Sequence, residues 1–427
     1  MPESPHLSAE SLLAPRLEQR IVPGLDRVQA ALAALGHPQR AFPSALVLGT
    51  NGKGSTAALL ASVLAAAGMR VGLYTSPHLR RVGERIQIDG AAISPGRLRE
   101  LVMSLERFPT LSYFETLTVA AFLEFARQRV DVAVVEAGLG GRWDAASTCE
   151  PVVSLLTNVG TDHQRWLGYS RPEIAAEKAA ALRGRVAIVG EMDEEVEPVI
   201  RREAKAPVTS VTQWAQVSAA ASRRLRRAGG EQPPNCPRVR VSVAGVTTSA
   251  DLPLRGAHQR RNAALALAGA AALADCGVVP PLSPRIVKAG LARVSWPGRW
   301  HWVATPTHRL LLDGAHNREA MVALTSALDA EGLSGGVNLI FSCLDDKPLD
   351  DMARLLNPRA RRVIVSSLAS PRAMPLPTLA AAFPGCAAVD SPAHALALLA
   401  ADSTPVLVTG SLRLVGEVLD TLEHTHE

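Results

Sequence analysis

The chain has 427 residues and a mass of 45.1 kDa, a length typical of two or three domains. Hydrophobic residues make up 47% and charged residues 20%, the balance of a globular protein that buries a core without disulfides. Lys and Arg number 45 against 40 Asp and Glu, so the net charge of +5 suits a small anionic ligand and excludes the dense positive field of a dedicated nucleic-acid binder.

Short apolar runs alternate with helical patterns through the first half of the chain. The patterns predict a helix at residues 55–67 and strands at 45–48, 71–74, 130–135, 152–156 and 186–189. Apolar runs of this kind indicate a mostly parallel sheet covered on both faces by helices.

No targeting or membrane segment is predicted. The N-terminal residues lack an apolar core, and the longest apolar stretch, 263–274, is too short to cross a bilayer. The five cysteines are scattered and form no CxxC pair, which indicates a reducing compartment. We therefore expect a cytoplasmic protein with no membrane partner.

The character of the chain changes between about residues 214 and 254. Arg223, Arg224, Arg226 and Arg227 crowd together there and are followed by GGEQPPNCP, which predicts a solvated loop or an edge hairpin, with anion binding as the alternative. A helix is predicted at 261–274.

A second block of α/β pattern follows a Pro-Gly linker. Strands are predicted at 309–312, 337–341, 362–365 and 405–408, with helical segments between them. The sequence thus predicts an α/β protein with a first domain at 1–294, a linker at 295–301 and a smaller α/β domain at 302–427.

The strongest chemical signal is GTNGKGST, which lies between a predicted strand and a predicted helix. Glycines there let backbone N–H groups converge on phosphate oxygens, and the helix N-terminus adds positive potential. Lys53 would reach the terminal phosphates, and Ser55 or Thr56 could face Mg²⁺. The spacing departs from GxxxxGK[ST], so this is a variant loop. The candidate nucleotide-binding residues are Thr50, Asn51, Gly52, Lys53, Gly54, Ser55 and Thr56.

Polar residues also follow two other predicted strands. Ser76, in TSPH, offers a hydroxyl that could bind a cation or cap a turn. Glu136, in EAGLGGR, offers a carboxylate for Mg²⁺, and Arg142 could contact an anion; a glycine-rich turn with a surface glutamate is the alternative.

Two further pairs are ambiguous from their residue types alone. His163, after Asp162, could be a metal ligand or a loop histidine. Glu177 and Lys178 lie in a helical pattern that favours a surface ion pair, because a protonated lysine has no acceptor for a cation; only a modified lysine, such as a carbamate, could bind one.

In the second domain, DGAHN follows the strand predicted at 309–312. Asp313 there could accept hydrogen bonds from a ribose, bind a cation, or cap a turn.

Taken in order, nine motifs show a family resemblance over about residues 25–418. GTNGKGST, TSPHL, SYFETLT, EAGLGGR, DH, EKA, HQRRNAALA, WPGR and LLDGAHN resemble folylpolyglutamate synthases and dihydrofolate synthases of the Mur ligase superfamily. The resemblance implies a two-domain Mur-ligase-like α/β fold, with a P-loop ATPase-type N-terminal domain holding the folate or pteroate site and a smaller Rossmann-like C-terminal domain. It also implies a monomer that acts on ATP, L-glutamate and dihydropteroate or folate.

The resemblance assigns roles to particular residues. Lys53 and its loop would hold the β- and γ-phosphates; Ser76 and Glu136 would hold one Mg²⁺; Glu136, His163 and a carbamylated Lys178 would hold a second. Lys53, Lys178 and His316 are the candidate catalytic residues. Contacts to ATP are implied for Asn262, Arg299, Asp313 and His316, and a place beside the substrate for Tyr113, Phe114 and Arg142.

Departures from the family pattern and rival functions leave substrate choice open. Trp143, Ser147 and Ala180 replace residues typical of the family, without removing a predicted ligand. One rival function is that of a cell-wall Mur ligase. It is disfavoured because Gly54 follows the loop lysine and because only 48 residues precede the loop, too few for a typical UDP-binding domain. The other rival is a non-catalytic nucleotide-binding protein. The resemblance permits addition of the first glutamate, extension of folate, or both; the chain length favours both.

Overall fold

The computed structural model describes residues 8–16, 23–220 and 236–424. Their contacts divide the chain into two compact units: Met1–Pro253 with Gln259–Val294, and Leu254–His258 with Ser295–Glu427. The second unit includes the whole predicted linker, whose last residue, His301, begins a strand. It also includes Leu254–His258, which the sequence interpretation had placed in the first domain. The arginine cluster at 223–227 lies outside the described residues.

An eight-stranded sheet forms the centre of the first unit. Its strands are β1 (Ser44–Leu48), β2 (Val71–Tyr74), β3 (Ile86–Ile88), β4 (Ala91–Ala92), β5 (Val132–Glu136), β6 (Val153–Leu156), β7 (Val186–Val189) and β8 (Val208–Ser210). They lie in the order β4-β3-β2-β5-β1-β6-β7-β8, and only the β2–β3 and β3–β4 pairs are antiparallel. Every residue of β1, β5 and β6 is buried, which explains their unbroken apolar runs and confirms the predicted parallel sheet.

Ten described helices belong wholly or mainly to the first unit. They are α1 (Ala9–Leu13), α2 (Asp26–Ala34), α3 (Lys53–Ala66), α4 (Pro95–Ser104), α5 (Tyr113–Gln128), α6 (Gln164–Leu167), α7 (Arg171–Ala179), α8 (Glu197–Glu203), α9 (Ala257–Asp275) and α10 (Pro284–Arg293). The predicted helices at 55–67 and 261–274 correspond to α3 and α9. None of the described helices is long and apolar enough to cross a membrane.

A separate antiparallel sheet occupies the region where the sequence changed character. It consists of β9 (Ala215–Ala219), β10 (Arg238–Val243) and β11 (Val246–Asp251), in the order β11-β10-β9. Within this sheet β10 and β11 form an antiparallel hairpin, and β9 pairs with the other side of β10. Val239, Val241 and Val243 of β10 are buried and the residues between them are exposed, so one face of the hairpin is packed and the other is open to solvent. The loop or hairpin predicted around the arginine cluster lies outside the described residues.

The second unit has a six-stranded sheet in the order β12-β13-β17-β14-β15-β16. Only β12 and β13 are antiparallel. The strands are β12 (His301–Ala304), β13 (Arg309–Leu312), β14 (Val337–Phe341), β15 (Ala360–Ser366), β16 (Ala387–Val389) and β17 (Val406–Thr409), and the helices are α11 (Arg318–Ala330), α12 (Leu349–Leu356), α13 (Leu376–Ala382), α14 (Pro392–Ala397) and α15 (Leu412–His424). The smaller α/β domain with a mostly parallel sheet is thus confirmed.

Strand register brings the chemical motifs of the first unit to one edge of its sheet. Val47 of β1 lies beside Glu136 of β5, and Leu48 lies beside Leu156 of β6. Tyr74, the last residue of β2, lies beside Val135. The segments that follow these four parallel strands therefore emerge side by side, where α/β proteins bind their ligands.

Candidate active site

The predicted phosphate loop connects β1 to α3 through two glycines in left-handed conformations. Gly49 has φ +143° and Gly52 has φ +82°. A Cβ on Gly49 would overlap the Thr157 hydroxyl, and one on Gly52 would lie 2.5 Å from Asn262 Oδ1. Because both positions exclude a side chain, the backbone is left uncovered, as a phosphate cradle requires. α3 begins at Lys53, so the positive end of its dipole lies at the loop.

Side chains after β6 hold this loop in place. Asn158 Oδ1 accepts a hydrogen bond from Asn51 N at 3.0 Å, and Asn158 Nδ2 donates to Asn51 O at 2.9 Å. Thr157 Oγ1 donates to the same carbonyl at 2.6 Å, and Gly160 N donates to Thr50 Oγ1 at 2.9 Å. The sequence interpretation missed Thr157 and Asn158; their position just after a predicted parallel strand was the signal that could have found them.

Two lysine side chains converge on one loop carbonyl. Lys53 Nζ and Lys178 Nζ each donate to Gly49 O at 3.1 Å, and Lys53 Nζ also donates to Thr50 O at 3.2 Å. Lys178, near the end of α7, is 4% exposed. The expected surface pair with Glu177 was therefore wrong, because Lys178 is buried against the loop.

The surroundings of Lys178 disfavour its charged form. Burial, followed by the positive charge of Lys53, lowers the pKa of Lys178 to about 7, against the opposing effect of Asp162 and Asp144. The amine is thus partly neutral near physiological pH, a requirement for its reaction with an electrophile.

Ser76 and Glu136 meet where β2 and β5 end. Glu136 is 3% exposed, and its Oε2 accepts a hydrogen bond from Ser76 N at 2.9 Å. The His163 side chain is 41% exposed. Within the described residues, no group of three or more His, Cys, Asp or Glu side chains is arranged to hold a metal ion.

Arg142 binds two carboxylates of its own chain. Its Nε donates to Glu177 at 2.9 Å, its Nη2 lies 3.4 Å from Glu203, and its backbone N donates to Glu177 O at 2.9 Å. These contacts fasten the loop after β5 to α7, the helix that carries Lys178. Trp143, the neighbouring departure from the family pattern, is 55% exposed.

The loop after β5 is further held by a buried carboxylate. Asp144 accepts hydrogen bonds from Leu139 N at 2.6 Å and Ala146 N at 2.9 Å. Burial raises the pKa of Asp144 to about 6, although the backbone hydrogen bonds and the Lys53 charge oppose the shift.

Two aromatic residues begin α5, and one of them, Phe114, lies against the same loop. A Cβ on Gly138 would lie 2.7 Å from the Phe114 ring. The Phe114 ring centroid is 5.9 Å from that of Tyr74, and the Arg85 guanidinium lies 5.2 Å from the Tyr113 ring centroid. Arg85 Nε also donates to His78 Nδ1 at 2.9 Å. This places the predicted substrate residues beside the ends of β2 and β5.

A short amide relay joins α9 to the phosphate loop. Gln259 Nε2 donates to Ser55 Oγ at 3.3 Å, and Asn262 Nδ2 donates to Gln259 Oε1 at 3.0 Å. Thr56 Oγ1 is buried and has no hydrogen-bond partner among the described residues. The exposed backbone of the loop suits a nucleotide phosphate, and the buried Thr56 hydroxyl, which makes no hydrogen bond here, suits the cation bound to that phosphate. Gln259 was not predicted.

In the second unit, Asp313 organises the predicted ATP-binding residues. Its two carboxylate oxygens accept hydrogen bonds from Trp300 N at 2.9 Å and Ala315 N at 3.0 Å. Burial raises the pKa of Asp313, while Arg299 opposes the shift. Gly314 N donates to Gly298 O at 2.9 Å, so the WPGR turn and the DGAHN loop form one structure. His316 Nδ1 lies 2.8 Å from Gly314 O.

Comparison with family models identifies both parts of the chain. Residues 47–270 match the Mur ligase middle domain, and residues 298–412 match the Mur ligase, glutamate ligase domain. The dihydrofolate synthase/folylpolyglutamate synthase of Mycobacterium tuberculosis is 36% identical over 401 residues, covering 88% of this chain and 81% of that protein. The chain belongs to the dihydrofolate synthase/folylpolyglutamate synthase family of Mur ligases.

Solved structures of this ligase family agree with the fold. Folylpolyglutamate synthase of Mycobacterium tuberculosis complexed with ADP aligns with a TM-score of 0.85 and 32% identity over 97% of each chain. Escherichia coli FolC in complex with DHPP and ADP aligns with a TM-score of 0.86 and 29% identity over 99% of each. The predicted Mur-ligase-like fold and the predicted activity, ATP-dependent glutamate ligation in folate metabolism, are thus confirmed.

Proposed function

We propose that this ligase adds L-glutamate both to dihydropteroate and to tetrahydrofolate or its polyglutamates. The observation that supports a phosphoryl-transfer site most strongly is the convergence of Lys53 and Lys178 on Gly49 O, at the start of a glycine-rich loop. Relatives from Mycobacterium tuberculosis, Bacillus subtilis and Escherichia coli carry both activities in their names.

The reaction proceeds in two steps. A carboxylate oxygen of the acceptor attacks the γ-phosphorus of ATP, and ADP leaves. The α-amine of glutamate then attacks the acyl carbon, loses a proton and expels inorganic phosphate. Lys53 and the N-terminus of α3 offset the negative charge on the transferred phosphoryl group. Binding of ATP or placement of glutamate falls to four other residues: Asn262, Arg299, Asp313 and His316.

The residues near the loop suit hard cations. Mg²⁺, when bound, neutralises phosphate oxygens and orients the nucleotide. Ser76 and Glu136 would hold one ion, and Glu136, His163 and Lys178 a second. An ammonium has no acceptor, so Lys178 fills this role as a carbamate, formed when its neutral amine adds CO₂ and loses a proton. Its burial beside the loop supports this modification.

The test is phosphate release by purified protein with ATP, Mg²⁺ and glutamate, with dihydropteroate or tetrahydrofolate added in separate reactions. We expect release with both acceptors and a loss of about a thousandfold in Lys53→Ala, the range for removing a cation from a phosphoryl-transfer site. Lys288→Ala, at an exposed position on α10, is the control. Release with one acceptor would assign the chain to that step alone, and release with neither would point to another Mur-type acceptor.

The carbamate is tested separately with ¹³C-bicarbonate. We expect a carbamate carbon resonance in the wild-type protein that is absent from Lys178→Arg. Full activity in CO₂-free buffer, without that resonance, would show that Lys178 acts unmodified.

A further inference from the structure

The start of α5 carries both aromatic residues of the proposed acceptor site. Ser112 and Glu115 cap it reciprocally: Ser112 N donates to Glu115 Oε2 at 2.7 Å, and Glu115 N donates to Ser112 Oγ at 3.3 Å. Tyr113 and Phe114 are the first two helical residues after this cap. The position of the cap therefore sets the position of both rings.

An arginine on α2 binds the capping carboxylate from outside. Arg27 Nη2 donates to Glu115 Oε1 at 2.8 Å, and Arg27 Nε lies 3.4 Å from Glu115 Oε2. The Glu115 side chain is 8% exposed. Removing the arginine would leave the negative charge of the buried Glu115 carboxylate unpaired, which is strongly unfavourable. The cap therefore depends on Arg27.

A second arginine fixes the loop that leads into the cap. Arg16 Nη1 donates to Phe108 O, Leu111 O and Thr116 Oγ1 at 3.0, 3.1 and 2.9 Å, and Arg16 Nη2 donates to Leu105 O at 3.0 Å. One guanidinium thus joins the end of α4, the connecting loop and the first turn of α5. A lysine cannot reproduce this fork of donors.

We propose that Arg27 and Arg16 are positioning residues for the acceptor. They hold the start of α5 so that Phe114 lies over Gly138 and Tyr113 lies against Arg85. Neither arginine belongs to the phosphate loop, so their effect falls on the acceptor and not on ATP. This inference rests on the proposed function, because it takes Tyr113 and Phe114 to contact the pteroate or folate.

The chain provides a matched control for Arg27. Arg97 on α4 also pairs with a buried glutamate of α5, since its Nε donates to Glu124 Oε2 at 2.7 Å. The two arginine side chains are 24% and 25% exposed, and the Glu124 side chain is 2% exposed. Arg97→Ala therefore removes an arginine–glutamate pair between α5 and another helix at the twelfth residue of α5, where Arg127 and Gln128 also bind Glu124.

The experiment compares steady-state kinetics of Arg27→Ala and Arg97→Ala with varied acceptor and varied ATP. We expect Arg27→Ala to raise the acceptor KM about tenfold while the ATP KM changes less than about twofold, because the lost interaction acts only on the acceptor. Arg97→Ala should leave both KM values near those of the wild type. An equal change in both variants, or an equal rise in both KM values, would show that Arg27 has only a structural role.

Arg16→Lys is the second variant, since it keeps the charge and the stem but loses the fork. We expect the same selective rise in acceptor KM, smaller than in Arg27→Ala, with the ATP KM near that of the wild type. An unchanged acceptor KM would exclude Arg16 from the proposal. If the wild-type enzyme turns over neither acceptor, the proposed function fails; if it does and the arginine variants match it, only this inference fails.

Discussion

The two loops proposed to bind the nucleotide are built alike but held differently. Each follows a strand that has a parallel neighbour, β1 in the first unit and β13 in the second, and leads into a helix. The phosphate loop of the first unit is held mainly from outside, by Thr157 and Asn158. The loop after β13 in the second unit is held from inside, by Asp313, which is itself a predicted ATP ligand.

This difference determines what a substitution reports. Replacing Asn158 disturbs the phosphate loop without removing any residue proposed to contact substrate. Replacing Asp313 removes a proposed ATP ligand and a structural support together, so loss of activity there does not separate the two roles. Substitution of Asp313 should therefore lower both stability and activity, whereas substitution of Asn158 should lower mainly activity.

The largest effect on stability is expected at Asp313. Asp313→Ala leaves the buried N–H groups of Trp300 and Ala315 without an acceptor, at a cost of about 2–4 kcal/mol in the free energy of unfolding. Asp313→Asn keeps one acceptor oxygen and should lose about half as much. Hydrogen exchange at the backbone amides of Trp300 and Ala315 measures this loss of local stability. Unchanged protection of both in Asp313→Ala would show that the loop does not depend on its carboxylate.

A smaller effect, on catalysis, is expected at Asn158. Asn158→Ala removes both side-chain hydrogen bonds to Asn51, and displacement of the loop should lower kcat/KM for ATP about thirtyfold, or about 2 kcal/mol. Asn338→Ala, which loses the hydrogen bond to Asp402 in the second unit, is the control and should keep wild-type kinetics. Equal kinetic losses in the two variants would show that Asn158→Ala acts through general destabilisation and not through the phosphate loop.

The sequence predicted the elements of this site better than the contacts between them. The parallel strands were recognisable because burial on both faces requires continuous apolar runs, as in β1 and β5. The bonds from Asn158 to Asn51 cross 107 residues, and they depend on β1 lying between β5 and β6. No local pattern encodes that order.

Lys178 is a single residue whose burial the local sequence could not predict. Its neighbours in EKA read as an exposed helix, and only the family resemblance indicated a role in the site. The structure buries it because its side chain lies against Gly49 of the phosphate loop, and because the loop after β5 packs on α7 through Arg142 and Glu177. Which face of a short polar helix is buried depends on what packs against it, and here the packing residues lie 35 and 129 positions earlier in the chain.

Asp144 resembles Asp313 in accepting hydrogen bonds from two backbone N–H groups. Its folded-state pKa of about 6 lies above the ordinary value of 3.8, so between these pH values the native protein holds a proton that the unfolded chain has released. Stability should therefore fall as pH rises from about 4 to 6, by no more than about 1.4 kcal/mol per pH unit. Asp144→Asn removes this titration and loses one hydrogen bond at every pH.

Denaturant titrations of the wild type and Asp144→Asn at several pH values isolate the Asp144 contribution, because the other titrating groups cancel in the difference. We expect the wild-type advantage to shrink as the pH is raised through this window and to level off above it. A difference that stays constant from pH 4 to 6 would mean that Asp144 is solvated in solution. The loop would then be open enough for water to reach the carboxylate, and the likeness between Asp144 and Asp313 would be limited to hydrogen-bond geometry.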